Sequence, residues 1–188
     1  MKLITFAIPS YNSEAYLHHA VDTILTGGED VEIIIINDGS KDATGTIADR
    51  YAAQYPNIVK VIHQENGGHG EGINQGLRHA TGIYFKVVDS DDTMSADFPA
   101  FLAKLEECEA QGGVDLFVIN FYYVHSDGKG DLSINYSSVL PEGRIFGWED
   151  TKLFRLHQML TIHSCTFRTE AMRQWSEELP KHVFYEDN

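Results

Sequence analysis

A chain of 188 residues, 43% hydrophobic and 22% charged, is long enough to bury one real core and too apolar to stay disordered. Its 28 acidic residues against 14 basic ones, a formal charge of −14, argue against nucleic acid or an anionic membrane as the main partner, but leave room for a small anionic substrate bridged by a divalent metal. Only Cys108 and Cys165 are present, far apart and without a metal-ligand spacing, which argues against a disulfide framework or a zinc site and fits a reducing cytoplasm.

Residues 3–8 form an apolar run ending at Pro9, the pattern of a buried strand and too short for a signal peptide. Ser13 is placed to cap a helix from about Glu14, in which Tyr16, Leu17, Ala20, Val21, Ile24 and Leu25 recur at helical spacing until Gly27-Gly28. The β-branched run 31–36 predicts a central parallel strand, followed by the turn Asn37-Asp38-Gly39-Ser40 and a helix over 43–55. A third strand at 58–63, a glycine-rich turn at 66–72 and a helix over 71–80 come next. The strand 83–88 then runs into Asp89, Asp91 and Asp92. A helix over 97–111 and a strand over 116–123 follow. Beyond 124 the pattern loosens: a hairpin or loop at 126–143, helices near 148–158 and 169–178, and a short strand at 164–168. The β-α alternation predicts one α/β domain over 1–188, with a mostly parallel sheet covered on both faces. No run approaches the ~18 apolar residues that span a bilayer. The abrupt end at Glu186-Asp187-Asn188 reads as a C-terminal truncation.

In an open parallel sheet, ligands bind beyond the carboxyl ends of the strands. Pro9–Asn12, Asn37–Ser40 and Asp89–Asp92 each follow a strand and should meet on one rim. Three carboxylates in four residues repel unless a cation neutralises them, and their hard oxygens suit Mg²⁺ or Mn²⁺, metals that accompany phosphate groups. At an extended strand end, residues i and i+2 point the same way. Asp89 and Asp91 are therefore expected to face one site, with Ser90 turned away and Asp92 free to cap a helical turn. Alone, Asp38 is a turn aspartate and Tyr11 packs on the first helix. The turn Gly67-Gly68-His69-Gly70 before a helix can bring backbone N–H groups to a phosphate, although a tight turn needs such glycines anyway. No Gly-Lys-Ser/Thr follows, so it is not a P-loop. His163 reads first as a packed or hydrogen-bonded residue that could border an acceptor site.

The ordered set Ile8-Pro9-Ser10-Tyr11-Asn12, Ile36-Asn37-Asp38-Gly39-Ser40-Lys41-Asp42, Asn66-Gly67-Gly68 with Asn74, Val88-Asp89-Ser90-Asp91-Asp92, and the late pair Glu186-Asp187 resembles the family 2 glycosyltransferases. The resemblance is close over 1–93 and looser over 94–188. It implies the GT-A fold and inverting transfer of a sugar from a nucleotide-diphosphate donor, a UDP-sugar, to a hydroxyl of a glycan or lipid-linked acceptor. Surface polysaccharide or glycoconjugate synthesis, in the cytoplasm or at the inner face of a membrane, is the implied setting. Residues 1–93 would be the nucleotide-binding half and 94–188 the acceptor-side half. Pro9, Tyr11 and Asp38 would border the base, with Asp38 accepting the uracil imide N–H. Asn74 and Asp89 would contact the donor, Asp89 and Asp91 would hold Mn²⁺ or Mg²⁺, and Asp187 would be the general base supported by Glu186. One departure is Ile73, where many members of the family carry a basic residue; His69 or Arg78 would supply that charge. Two other readings are a sugar nucleotidyltransferase and a non-catalytic nucleotide-sugar-binding fragment. The first lacks its basic phosphate loop, since Ser10-Tyr11-Asn12-Ser13-Glu14 follows the first strand. The second is raised by the end of the chain one residue beyond Asp187.

Overall fold

The computed structural model describes residues 1–124, 131–155, 158–174 and 177–183. Strand and helix alternate through β1 (Ile4–Ser10), α1 (Leu17–Leu25), β2 (Val31–Asp38), α2 (Thr44–Gln54), β3 (Val59–Gln64), α3 (His69–His79) and β4 (Tyr84–Val87). There follow α4 (Phe98–Ala110), β5 (Leu116–Val118), β6 (Phe121–Tyr123), β7 (Leu132–Ile134), β8 (Cys165–Arg168) and α5 (Thr169–Gln174). One sheet has the order β3-β2-β1-β4-β8-β5. Its first four strands are parallel, and β8 is antiparallel to both its neighbours. Because β8 runs backwards, β5 points the same way as β4. The strands β6 and β7 pair separately as an antiparallel ribbon.

All eight residues of β2 are buried because both faces of the sheet are covered. Ile33 and Ile35 pack on one side with Phe6, Ile8, Val21 and Ile24, against α1 and α4. Ile34 and Ile36 alternate to the other side, with Ala7, Phe85, Val87 and Ile73 of α3. This three-layer packing is the mostly parallel α/β arrangement expected from the β-α alternation. Among the described residues, no helix is long and apolar enough to cross a membrane.

Four local expectations are corrected. First, β1 does not stop at Pro9 but continues to Ser10, with Pro9 in register with Ile36. Ala7 O accepts from Val88 N–H on the β4 side, so by the strand's period of two the missing N–H of Pro9 also faces that side. The regular β1–β4 pairing has ended there at Ala7 and Val87, so no ladder bond is lost. Second, α1 starts three residues after Glu14, and Ser13 does not cap it. Tertiary bonds compete with the cap: Glu14 N–H donates to Asp42, and the Glu14 carboxylate accepts from Ala43 N–H. Third, 116–123 is not one strand. It breaks at Ile119-Asn120, and its second part joins the separate ribbon. Fourth, the described residues near 148–158 form no α-helix; Trp148–Asp150 make a 3₁₀ turn. Lys152 N–H bonds to Val139 O instead, and Leu153 is 93% exposed, so residues 151–155 present no buried face to support a helix.

The helix α3 reaches the sheet through glycines one turn apart. A Cβ on Gly72 would lie 2.9 Å from Pro9 Cβ, and one on Gly76 would lie 2.5 Å from Ala7 Cβ. Helix propensity alone predicts that Gly76→Ala gains up to about 1 kcal/mol. The contact with Ala7 predicts the opposite sign, because two methyl groups at that distance force the helix off β1. Overpacking is expected to cost about 2 kcal/mol. A thermal melt should show the midpoint lowered by roughly 4–8 °C for a chain of this size. A raised midpoint would show that α3 has room to move.

Candidate active site

The carboxyl ends of β1, β2 and β4 bring three polar loops to one rim. They are stitched together by side chains. Asn12, whose φ of 51° suits an asparagine, donates its N–H to Ser40 Oγ at 3.0 Å and accepts Lys41 N–H at 2.8 Å. Ser13 N–H donates to Thr44 Oγ1 at 2.7 Å, and the Ser13 and Ser90 hydroxyls lie 2.7 Å apart. The loops after β1, β2 and β4 are thus held as one surface. Tyr11 stands 52% exposed on it, while Pro9 is buried beneath α3 at Gly72.

Asp38 ends β2 almost fully buried. Its carboxylate accepts Gln64 Nε2 and Gly67 N–H at 2.7 Å each, and Gly68 N–H at 2.9 Å. Gly68 has φ 87°, a conformation that turns its N–H inward and that glycine adopts without strain. Asp38 is therefore a clasp for the glycine-rich turn. A carboxylate has about four acceptor positions, and the described residues fill three of those on Asp38, which leaves one for a ligand. Beside it, Asn37 Nδ2 donates to His63 Nδ1 at 2.9 Å, and His63 Nε2 faces Asp49 at 3.0 Å.

The acidic segment departs from the geometry expected of it. β4 ends at Val87, and Asp92 N–H donates to Asp89 O at 3.0 Å, closing a turn. An extended chain would have paired residues i and i+2; the turn instead brings i and i+3 together. Carboxylate oxygens of Asp89 and Asp92 and a ring nitrogen of His163 lie within 4.8 Å of one another. Asp91 is exposed and outside this group. No helix begins at Asp92, since α4 starts at Phe98, so Asp92 is not a cap.

His163 Nδ1 lies 3.1 Å from Asp92 and 3.9 Å from Asp89. These are ion-pair distances without hydrogen-bond alignment, and among the described residues this buried nitrogen has no hydrogen-bond partner. Asp92 raises the His163 pKa above its ordinary value; burial opposes the shift and Asp89 reinforces it. Burial pushes the Asp89 carboxyl up, but the hydrogen bond from His69 Nε2 at 2.8 Å and the nearby imidazoles outweigh it and hold it below its ordinary value. Two carboxylates and an unsatisfied imidazole nitrogen that converge in this way can hold a divalent cation.

Lys86 was not singled out from the sequence, although a lysine inside an apolar strand is a visible signal. It is 2% exposed, and Nζ donates to His163 O at 2.6 Å and Cys165 O at 3.2 Å. Burial lowers it to about 8, against the favourable charges of Cys165 and Asp92. Lys86 ties the start of β8, and with it His163, to β4.

Asn74, expected at the donor, is turned to the chain's last described segment. Its Nδ2 donates to Leu179 O at 2.9 Å and its Oδ1 accepts Leu179 N–H at 3.0 Å. His182 N–H donates to Gly67 O at 2.9 Å nearby. Ile73 is core. Of the two candidates for a compensating charge, His69 reaches Asp89, whereas Arg78 is held by Glu71 and Glu178. Glu186 and Asp187 lie outside the described residues. A cavity of about 850 Å³ lies elsewhere, between the end of α4, β5 and residues 136–148, away from the acidic cluster.

Comparisons with known proteins bear on the family and the fold. Residues 5–174 match the family described as glycosyl transferase family 2. Putative glycosyltransferase EpsH of Bacillus subtilis is 32% identical over 177 residues, covering 87% of this chain and 50% of that protein. Uncharacterized glycosyltransferase EpsJ of the same organism is 37% identical over 128 residues, covering 68% of this chain and 36% of that protein. The chain thus spans half or less of the length of these curated relatives. The crystal structure of S. aureus TarS 1–349 in complex with UDP-GlcNAc aligns at a TM-score of 0.76 and 24% identity, covering all of this chain and 51% of that one. Shared architecture over the whole chain makes the fold GT-A, an α/β fold with a mostly parallel central sheet. With the family match running from β1 through α5 and enclosing the whole described rim, the chain belongs to glycosyl transferase family 2.

Proposed function

We propose that this chain is the catalytic domain of an inverting glycosyltransferase that moves a sugar from a UDP-sugar to an acceptor hydroxyl. The observation that carries the reading is the convergence of Asp89, Asp92 and His163 on the same rim as Asp38. Residues 1–93 form the nucleotide side and 94–188 the acceptor side. The remaining Asp38 lone pair accepts the imide N–H of uracil, and the exposed Tyr11 ring offers a stacking face. Uridine is the first base to test because TarS, of the same fold, was solved with UDP-GlcNAc.

Asp89 holds the divalent metal, with His69 fixing its carboxylate. The second carboxylate is Asp91, as the sequence pattern implies, or Asp92, as the turn favours. His163 as a nitrogen ligand favours Mn²⁺ over Mg²⁺, which prefers an all-oxygen octahedron. When bound, such a metal offsets diphosphate charge as the glycosyl–phosphate bond breaks. Asp187 takes the proton from the acceptor hydroxyl as that oxygen attacks the anomeric carbon, with Glu186 in support. One displacement with one base inverts the configuration. Asn74 serves as a positioning residue, holding Leu179 eight residues before Asp187.

Calorimetry with UDP tests the donor site. Saturable binding is expected with Mn²⁺ and at least tenfold weaker binding in EDTA; no binding with either metal overturns the reading. Asp187→Asn is expected to lower transfer by about a hundredfold, the scale of general-base catalysis, with UDP affinity unchanged. Wild-type transfer rates in that variant would remove Asp187 from the mechanism.

A further inference from the structure

From β3 across to β5, the rim presents Gln64, Asp38, Ser10, Asp89 and His163 in turn. The next feature is the β6–β7 ribbon. Ile119 N–H donates to Ser164 O at 2.9 Å as the chain leaves β5, and the chain enters β6 at Phe121. The Phe121 ring lies 5.9 Å from the His163 ring, and Tyr123 meets Phe121 edge-on at 5.1 Å. Residues two apart on a strand share a face, and the cross-strand partners Ile134 and Leu132 complete it. The inner end of that face is core: Ile134 is buried with Tyr136, Val139 and Leu140. Its outer end is open, with Tyr123 46% and Leu132 53% exposed. The apolar face therefore adjoins the acidic cluster at Phe121 and continues from there into solvent at Tyr123 and Leu132.

We propose that the Phe121, Tyr123 and Leu132 face is the acceptor subsite and that it takes an uncharged glycosyl ring. The assignment rests on reading the rim as a nucleotide-sugar site. With the base at Asp38 and the diphosphate at Asp89, the anomeric carbon lies further along the same line, and the acceptor hydroxyl arrives from the β6 side. One face of a pyranose ring is C–H and apolar while its edge is hydroxylated. An aromatic ring with a polar tip, such as Tyr123, matches both. Charge selects against the alternative of a phosphate-bearing acceptor. Residues 94–188 hold 15 acidic and 8 basic residues. Through His163 this face meets the carboxylates of Asp89 and Asp92, which repel a phosphate.

Saturation-transfer NMR on the full chain with UDP and Mg²⁺ tests this. The probes are the methyl β-glycosides of glucose, galactose and N-acetylglucosamine, with glycerol 3-phosphate and 1-octanol as contrasts. Ring protons of at least one glycoside are expected to receive saturation. Tyr123→Ala is expected to weaken that binding at least tenfold and Tyr123→Phe by less than threefold, with UDP affinity within twofold of wild type in both. The proposal is overturned if no glycoside receives saturation, if Tyr123→Ala binds as wild type does, or if only glycerol 3-phosphate or 1-octanol binds. UDP binding in the same sample separates the two failures. With UDP bound and no glycoside bound, only the acceptor assignment falls; with no UDP bound, the donor reading falls as well.

Discussion

Asp89→Asn is expected to lower glycosyl transfer by about a thousandfold and to leave the fold intact. The substitution keeps the size of the side chain and removes the charge that faces His69 and His163. If Asp89 holds the metal, the diphosphate loses its counter-charge as the leaving group departs. Loss of preorganised charge stabilisation of that kind costs about 3–4 kcal/mol. Transfer or donor hydrolysis measured across a range of Mn²⁺ concentrations should show a rate that metal does not restore. The thermal midpoint should move little, since Asp89 is not part of the apolar core. A merely structural turn residue would give the reverse pattern: a lowered midpoint and a rate within a few-fold. Asp91→Asn and Asp92→Asn belong in the same series. The variant that shares the metal phenotype identifies the second carboxylate, which the sequence pattern and the turn geometry assign differently.

Glu32→Ala is expected to destabilise the chain by about 3 kcal/mol at neutral pH, because it removes a buried acceptor shared by Thr5, Thr81 and the half-exposed Lys60. Glu32 lies near the start of β2, at the end of the sheet away from the active rim. It is 2% exposed, and its two oxygens accept from Thr5 Oγ1 at 2.5 Å, Lys60 Nζ at 2.6 Å, Thr81 N–H at 2.7 Å and Thr81 Oγ1 at 2.9 Å. Truncation leaves these donors without their acceptor. Burial alone would raise the Glu32 pKa, but the bonds from Lys60, Thr5 and Thr81 outweigh it and hold it below 4.5. A depressed carboxyl contributes stability that is fully present above its unfolded value and is lost as pH falls through its folded value. Urea unfolding should therefore show the largest gap between wild type and variant near pH 7, narrowing below about pH 4.5. A gap that stays constant with pH would mean that the carboxylate's charge is not what holds the network.

Most of the fold over residues 1–93 was legible because its signals are local. Runs such as Ile33–Ile36 between turn residues mark strands, and each strand end carries its polar loop. What escaped depends on pairings with no local signature. His163 and Lys86 meet because β8 inserts antiparallel beside β4, which joins residues 77 positions apart. His163 in isolation looks like any packed histidine. The choice between Asp91 and Asp92 turned on whether the strand extends two residues past Val87, and strand ends are set by tertiary hydrogen bonds as much as by propensity. Ser13 shows the same competition, since its hydroxyl is held at Ser90 rather than at a helix terminus. Asn74 resembles a donor contact in its motif, yet its amide matches a peptide group and pairs with the backbone at Leu179.

That pairing has a consequence for the order in which the molecule assembles. Residues 74 and 179 are 105 positions apart, so joining them closes a long loop, and loop closure opposes such contacts until one partner is already fixed. The helix carrying Asn74 is fixed early, because it packs on β1 and β2 through contacts made wholly within the first 93 residues. The segment at 177–183 has no strand or helix of its own and docks onto a surface that exists before it arrives. In a nascent chain the sheet and α3 within residues 1–93 are therefore expected to form before the segment at 177–183 docks on them.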